Sequence, residues 1–136
     1  MKLLMFDTDE FWYRIHSKTW EYAQPSDPER EYEPGLVIFI QIEAEDENNP
    51  IRTSKKASDN ISWLAKKTDR THILLHSFAH LSESRSDIES AEQIFHDIQD
   101  RLTNKGYIVE ITPFGYFLEF KIHDKGESLA KVWKTI

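Results

Sequence analysis

The chain contains no cysteine, which removes disulfides, thiolate nucleophiles and cysteine-based zinc sites while leaving the compartment open. Glycine is nearly as scarce. Gly35, Gly106, Gly115 and Gly126 are the only four and none are grouped, so there is no glycine-rich cradle for phosphates and P-loop hydrolysis is excluded. Long apolar runs are missing too: the opening MKLLMF is too short for a secretory leader, and GLVIFIQI at 35–42 has the length of a strand. A soluble, cytoplasmic protein with no membrane contact is therefore expected. Basic charge is also in short supply, with 17 Lys and Arg against 24 Asp and Glu and a formal charge of −7. Such a balance opposes nucleic acid at long range, so any RNA contact needs a local patch.

What is present suits one compact domain over residues 1–136, since 39% hydrophobic and 12% aromatic content can fill a core. KLLMFD and DEFWYRI read as two strands joined by a tight turn at Asp7, Thr8 and Asp9. Residues 21–34, with three prolines and many charges, read as a surface excursion. Leu36–Ile40 is apolar without alternation, the pattern of a central strand buried on both faces.

Pro50 opens a helix whose apolar stripe is Ala57, Ile61, Leu64 and Ala65. Another buried strand follows at His72–Ser77. Ser86 to Glu89 is a capping-box pattern starting a second helix, striped by Ile88, Ala91, Ile94, Phe95, Ile98 and Leu102 and stopped by Gly106. YIVEITPFGYFLEFKI then reads as two strands about a tight turn at Pro113 and Gly115. The order β-β-β-α-β-α-β-β predicts an α/β (α+β) fold, a mostly antiparallel mixed sheet with two helices on one face. Two sheet edges and many aromatics lead to the expectation of a homodimer.

Candidate chemistry begins in HILLHSFAHLSES at 72–84, where a buried strand gives way abruptly to polar residues and His80 stands at the exit. His72 and His76 point the same way from a strand but sit roughly 13 Å apart, too far to share a metal ion. His80 is either a half-buried histidine satisfied by backbone or part of a site at the strand's end. Asp7, Thr8 and Asp9 offer a carboxylate pair for acid-base work or plain turn chemistry. Lys55, Lys56, Lys66, Lys67 and Arg70 gather on or beside the first helix, a basic patch or a solvated face. Phe114, Tyr116, Phe117 and Phe120 are core or a stacking platform, and only half can point to any ligand because a strand alternates its faces.

Two segments taken together weight these readings. SFAHLS at 77–82 and PFGYF at 113–117, followed by FKI and by Lys125-Gly126, resemble the archaeal N-terminal editing domain of threonyl-tRNA synthetase. The likeness runs from KLLMFDTD to the C-terminus. It implies a fold like that of the D-aminoacyl-tRNA deacylases, and hydrolysis of the ester of mischarged tRNA, L-seryl-tRNA(Thr) or a related one. The physical need is plain: one methyl group is worth only about 1–3 kcal/mol in binding, so threonine and serine are not separated by affinity alone.

By the same resemblance Phe78, Ala79 and His80 line the pocket, and Pro113, Phe114 and Gly115 face it. Editing members usually carry a lysine at the position of Leu118, a glutamate at Lys131, a tyrosine at Phe117, and His-Ser-Asp at Asp7-Thr8-Asp9. A diverged site is therefore expected, with His80 and Lys131 as catalytic candidates and Phe117 and Asp7 among the binding residues. No cofactor or metal is called for. The expected partners are a tRNA acceptor end and threonyl-tRNA synthetase. The synthetase's catalytic and anticodon-binding portions are absent from the chain, so it is either freestanding or cut from a synthetase, and a freestanding domain hydrolysing in trans is the leading expectation. The alternative is a non-catalytic module of the same fold that holds a tRNA end or nucleoside.

Overall fold

The computed structural model describes all 136 residues. Its strands are β1 (Lys2–Lys18), β2 (Glu29–Tyr32), β3 (Gly35–Gln41), β4 (His72–Ser77), β5 (Ile108–Ile111), β6 (Tyr116–Asp124) and β7 (Lys131–Thr135). Two helices, α1 (Pro50–Thr68) and α2 (Ile88–Asn104), flank β4. Neither is long and apolar enough to cross a membrane.

The predicted opening hairpin is instead one strand of 17 residues. Asp7 and Thr8 have turn chemistry, yet the sheet supplies them with partners. The Thr8 hydroxyl donates to the Gly35 carbonyl at 3.0 Å, and the Asp7 carboxylate accepts from Arg70 Nε at 2.7 Å. Buried polar groups so satisfied can pass through a strand. A bulge between Thr8 and Glu10 marks the change of partners: residues 2–8 pair with β3 and 2–6 with β7, whereas 11–14 pair with β2 and 8–18 with β6.

β3 is buried at every position, as its unbroken apolar run requires. The stripe of α1 is buried as expected, and Asn49 caps the helix by accepting from the Arg52 amide. α2 begins one residue later than the capping-box pattern indicated, because Asp87 rather than Ser86 accepts from the Ser90 amide. Gly106 adopts φ 98° just beyond the end of α2, a conformation that suits glycine.

Three expectations need amendment. The excursion at 21–34 contains β2, whose exposed residues hydrogen-bond to the edge of β1. β7 is an additional strand. The residues around Pro113 and Gly115 do not form a hairpin: β5 runs parallel to β4 while β6 turns away to pair with β1.

The sheet thus mixes a parallel run, β3-β4-β5, with antiparallel neighbours of β1. The main core lies between one face and both helices, where Leu3, Ile38 and Leu75 meet Ile61, Phe95 and Ile98. A second cluster covers the other face, where Phe11, Tyr13, Val37, Phe39 and Leu74 meet Leu118, Phe120 and Ile122 from β6. The sheet therefore curls, with β6 folding aromatic residues against the side that has no helices.

Candidate functional site

Strands β3, β4 and β5 run parallel, so their carboxyl ends open on one side. In open α/β sheets that is where a ligand crevice forms. Here the chain leaves β4 as Phe78-Ala79-His80 and leaves β5 as Thr112-Pro113-Phe114-Gly115. Between these exits is a cavity of about 410 Å³ lined by both segments and by Phe117 and Leu118. The volume falls within the range usual for small-molecule sites.

The lip after β4 is held in place by Gln41, the last residue of β3 and 2% exposed. Its Nε2 donates to the carbonyls of Ser82 and Ser84, both at 2.8 Å. Its Oε1 accepts from the amides of Leu81 at 2.6 Å and Ser82 at 2.7 Å. The amide's four hydrogen-bonding positions are thus all used. The Phe78 amide donates to the Ile40 carbonyl and the Ser86 amide to the Ile42 carbonyl, which fixes both ends of the excursion against β3.

The facing lip is set by Gly115, whose φ of 84° leaves the usual range for a side chain. A Cβ there would lie 2.9 Å from Ala23 Cβ. Its carbonyl accepts from the amides of Thr19 and Trp20, so β6 starts close beside the end of β1.

His76 forms part of the floor. It is 4% exposed, surrounded by Phe11, Phe39, Phe78 and Phe120, and Nδ1 hydrogen-bonds Thr112 Oγ1 at 3.0 Å. Burial lowers its pKa to about 4, so the imidazole is neutral near pH 7. His72, four residues earlier, is exposed.

His80 is exposed at the lip, its ring 4.9 Å from that of Phe78 in an edge-on arrangement, and it has no hydrogen bond within the chain. The amides of Ala79, His80, Phe114 and Gly115 likewise donate to no group of the protein. These free N–H groups are available to a carbonyl or an oxyanion.

The sequence-derived candidates fall in two places. Phe78, Ala79, His80, Pro113, Phe114, Gly115 and Phe117 all line the cavity. Asp7 and Lys131 do not: Asp7 pairs with Arg70, while Lys131 Nζ lies 2.6 Å from Asp124 Oδ2 and donates to the Lys125 carbonyl. Gln41, His76 and Arg85 line the cavity without having been singled out. Gln41 carried a readable signal, a lone polar residue in the apolar run of β3. A larger cavity of about 640 Å³ shares Thr112, Pro113 and Phe114 with the first but opens between the 20–32 stretch and α2. The smaller one collects the strand exits and the free amides, and is the better candidate for chemistry.

The sequence profile of the archaea-specific editing domain of threonyl-tRNA synthetase matches residues 1–136. Among curated relatives, threonine–tRNA ligase of Thermococcus gammatolerans is 34% identical over 139 residues, a match covering 100% of this chain and 22% of the relative. The threonine–tRNA ligase of Methanocaldococcus jannaschii is 32% identical with the same two shares, 100% and 22%. The chain thus spans about a fifth of the length of these relatives. Among solved structures, c-Myc DNA Unwinding Element Binding Protein superposes with a TM-score of 0.65 at 14% identity, covering 100% of this chain and 99% of that one. That likeness concerns the fold alone, a mixed α/β sheet with two helices. With the whole chain matched by the profile and its site assembled from the segments that carry the resemblance, the protein belongs to the archaea-specific threonyl-tRNA synthetase editing-domain family.

Proposed function

We propose that the cavity between the two strand exits removes a wrongly attached amino acid, L-serine first, from the terminal adenosine of threonine tRNA. The observation that carries this reading is the convergence of Phe78-Ala79-His80 and Pro113-Phe114-Gly115 on one open cavity whose rim amides have no partner. An aminoacyl ester is already activated, so a positioned water suffices as nucleophile. Water adds to the ester carbonyl, and the rim amides receive the developing oxyanion. The carbon–oxygen bond to the ribose then breaks, the ribose oxygen takes up the proton that the attacking water gives up, and the free amino acid leaves. His80 at the lip binds the ribose or orients the ester. Neither Asp7 nor Lys131 enters this scheme, because both are engaged elsewhere.

The partners in this reading are a tRNA acceptor end and a threonyl-tRNA synthetase, with hydrolysis in trans in the cytoplasm by a homodimer. Incubation with seryl-tRNA(Thr) and threonyl-tRNA(Thr) tests it. Loss of serine with threonine spared, and at least a tenfold slower rate for His80→Ala at unchanged stability, is the expected result. If neither seryl-tRNA nor a panel of D-aminoacyl-tRNAs is hydrolysed, the enzyme reading falls.

One observation favours the non-catalytic alternative. No aspartate or glutamate lines the cavity, and Leu118 lines it at the position where the resemblance leads one to expect a lysine. Tight binding of a seryl-adenosine analogue without turnover of the ester would establish that reading instead.

A further inference from the structure

The chain carries 24 acidic residues, yet the lining of the cavity contains none of them. Its one permanent cation is Arg85, exposed and free of any ion pair or hydrogen bond through its side chain. Arg14, Arg30 and Arg70, by contrast, are held by Glu119, Glu110 and Asp7. A guanidinium beside a cavity without carboxylates favours an anion.

The backbone makes the placement deliberate. Ser84, just before Arg85, gives its carbonyl to Gln41 Nε2 at 2.8 Å. Ser86, just after, gives its amide to the Ile42 carbonyl at 3.1 Å. Arg85 is therefore an exposed, unpartnered side chain on a backbone held at both neighbours. Glu83 and Asp87, the acids two residues to either side, do not line the cavity, and Asp87 is committed to capping α2. Ile88, the first residue of α2, does line it, which sets Arg85 three residues before the apolar wall that the helix gives the cavity.

We infer that Arg85 binds the phosphate on the 5′ side of the terminal adenosine, so that the cavity recognises an acylated nucleotide rather than an acylated nucleoside. This rests on the function proposed above and names a ligand group that the function alone does not require. The source of the anion is the phosphodiester of the acceptor end. A free phosphate or other small anion is the alternative that the experiment separates.

The test is calorimetric titration with a non-hydrolysable seryl-aminoadenosine, prepared with and without a 5′-phosphate, and with inorganic phosphate alone. The phosphorylated compound should bind about tenfold more tightly, with the advantage shrinking as salt is raised. Arg85→Ala should abolish the difference while leaving the unphosphorylated compound's affinity and the thermal midpoint unchanged, and Arg85→Lys should restore part of it. In deacylation the same Arg85→Ala change should raise KM with kcat unchanged. Equal affinities for the two compounds, or equal weakening of both by Arg85→Ala, would overturn the inference and leave the proposed function standing. Binding of inorganic phosphate as tight as the nucleotide would reassign Arg85 to a free-anion site. If neither nucleoside compound binds, the proposed function fails and takes this inference with it.

Discussion

Gln41 does for this protein what no apolar residue at its position could. One side-chain amide makes four hydrogen bonds to the backbone of Leu81, Ser82 and Ser84, and that stretch begins directly after His80. Each such bond contributes on the order of 1 kcal/mol net, and burying the residue's partners unpaired costs more. Gln41→Ala should therefore lower the unfolding free energy by about 2–4 kcal/mol in urea titrations. Gln41→Glu should fare no better, because a carboxylate cannot donate to the Ser82 and Ser84 carbonyls. A loss below about 0.5 kcal/mol for both would show that the lip is held by something else. The site was partly legible at this scale. His80 stood out because a buried strand ended abruptly beside it, whereas Arg85 sat among charged and serine residues that give a sequence reader no contrast.

Among the elements, β5 and β6 carry the informative departure. Their sequences announce two strands and a turn, and both strands and the turn exist. What local pattern cannot encode is the partner, since β5 binds β4 and β6 binds β1 through contacts remote in sequence. For the same reason Asp7 and Thr8 looked like a turn until Arg70 and Gly35 were brought to them. β7 escaped notice because KVWKT is short and half exposed.

The change of partner hinges on Gly115. Gly115→Ala should destabilise the fold by about 1–2 kcal/mol from backbone conformation alone, with a further cost from the approach to Ala23. It should also slow deacylation. Gly126→Ala, where an added Cβ meets nothing within 4 Å, is the control and should leave both unchanged. Equal melting temperatures for the two variants would remove the strain argument.

For the molecule as a whole, pH reports on two buried features. The Met1 ammonium, on a residue 0% exposed, lies 2.6 Å from Glu43 Oε1 and 2.9 Å from Asp46 Oδ2. Burial alone would raise the Glu43 carboxyl, but hydrogen bonds from that ammonium and from Ser82, with the charges of the ammonium and Lys2, bring it down to about 2. A carboxyl whose folded pKa lies below its ordinary 4.5 contributes stability above that value and loses it as pH falls toward 2.

His76 acts earlier. Its folded pKa of about 4 lies below its ordinary 6.5, so the unfolded chain takes up the proton first, and stability declines between those two values as pH drops. Denaturation midpoints should therefore fall in two stages on acidification, and His76→Phe should flatten the first stage only. A flat profile from pH 6.5 to 4 in the parent protein would contradict the buried neutral imidazole.

The two lips are tied down, one to Gln41 and the other to the end of β1. A mouth built this way works as a fixed gauge. For the reaction proposed above, the choice between a side chain that fits and one a methyl larger then falls to walls whose positions two sets of hydrogen bonds already set.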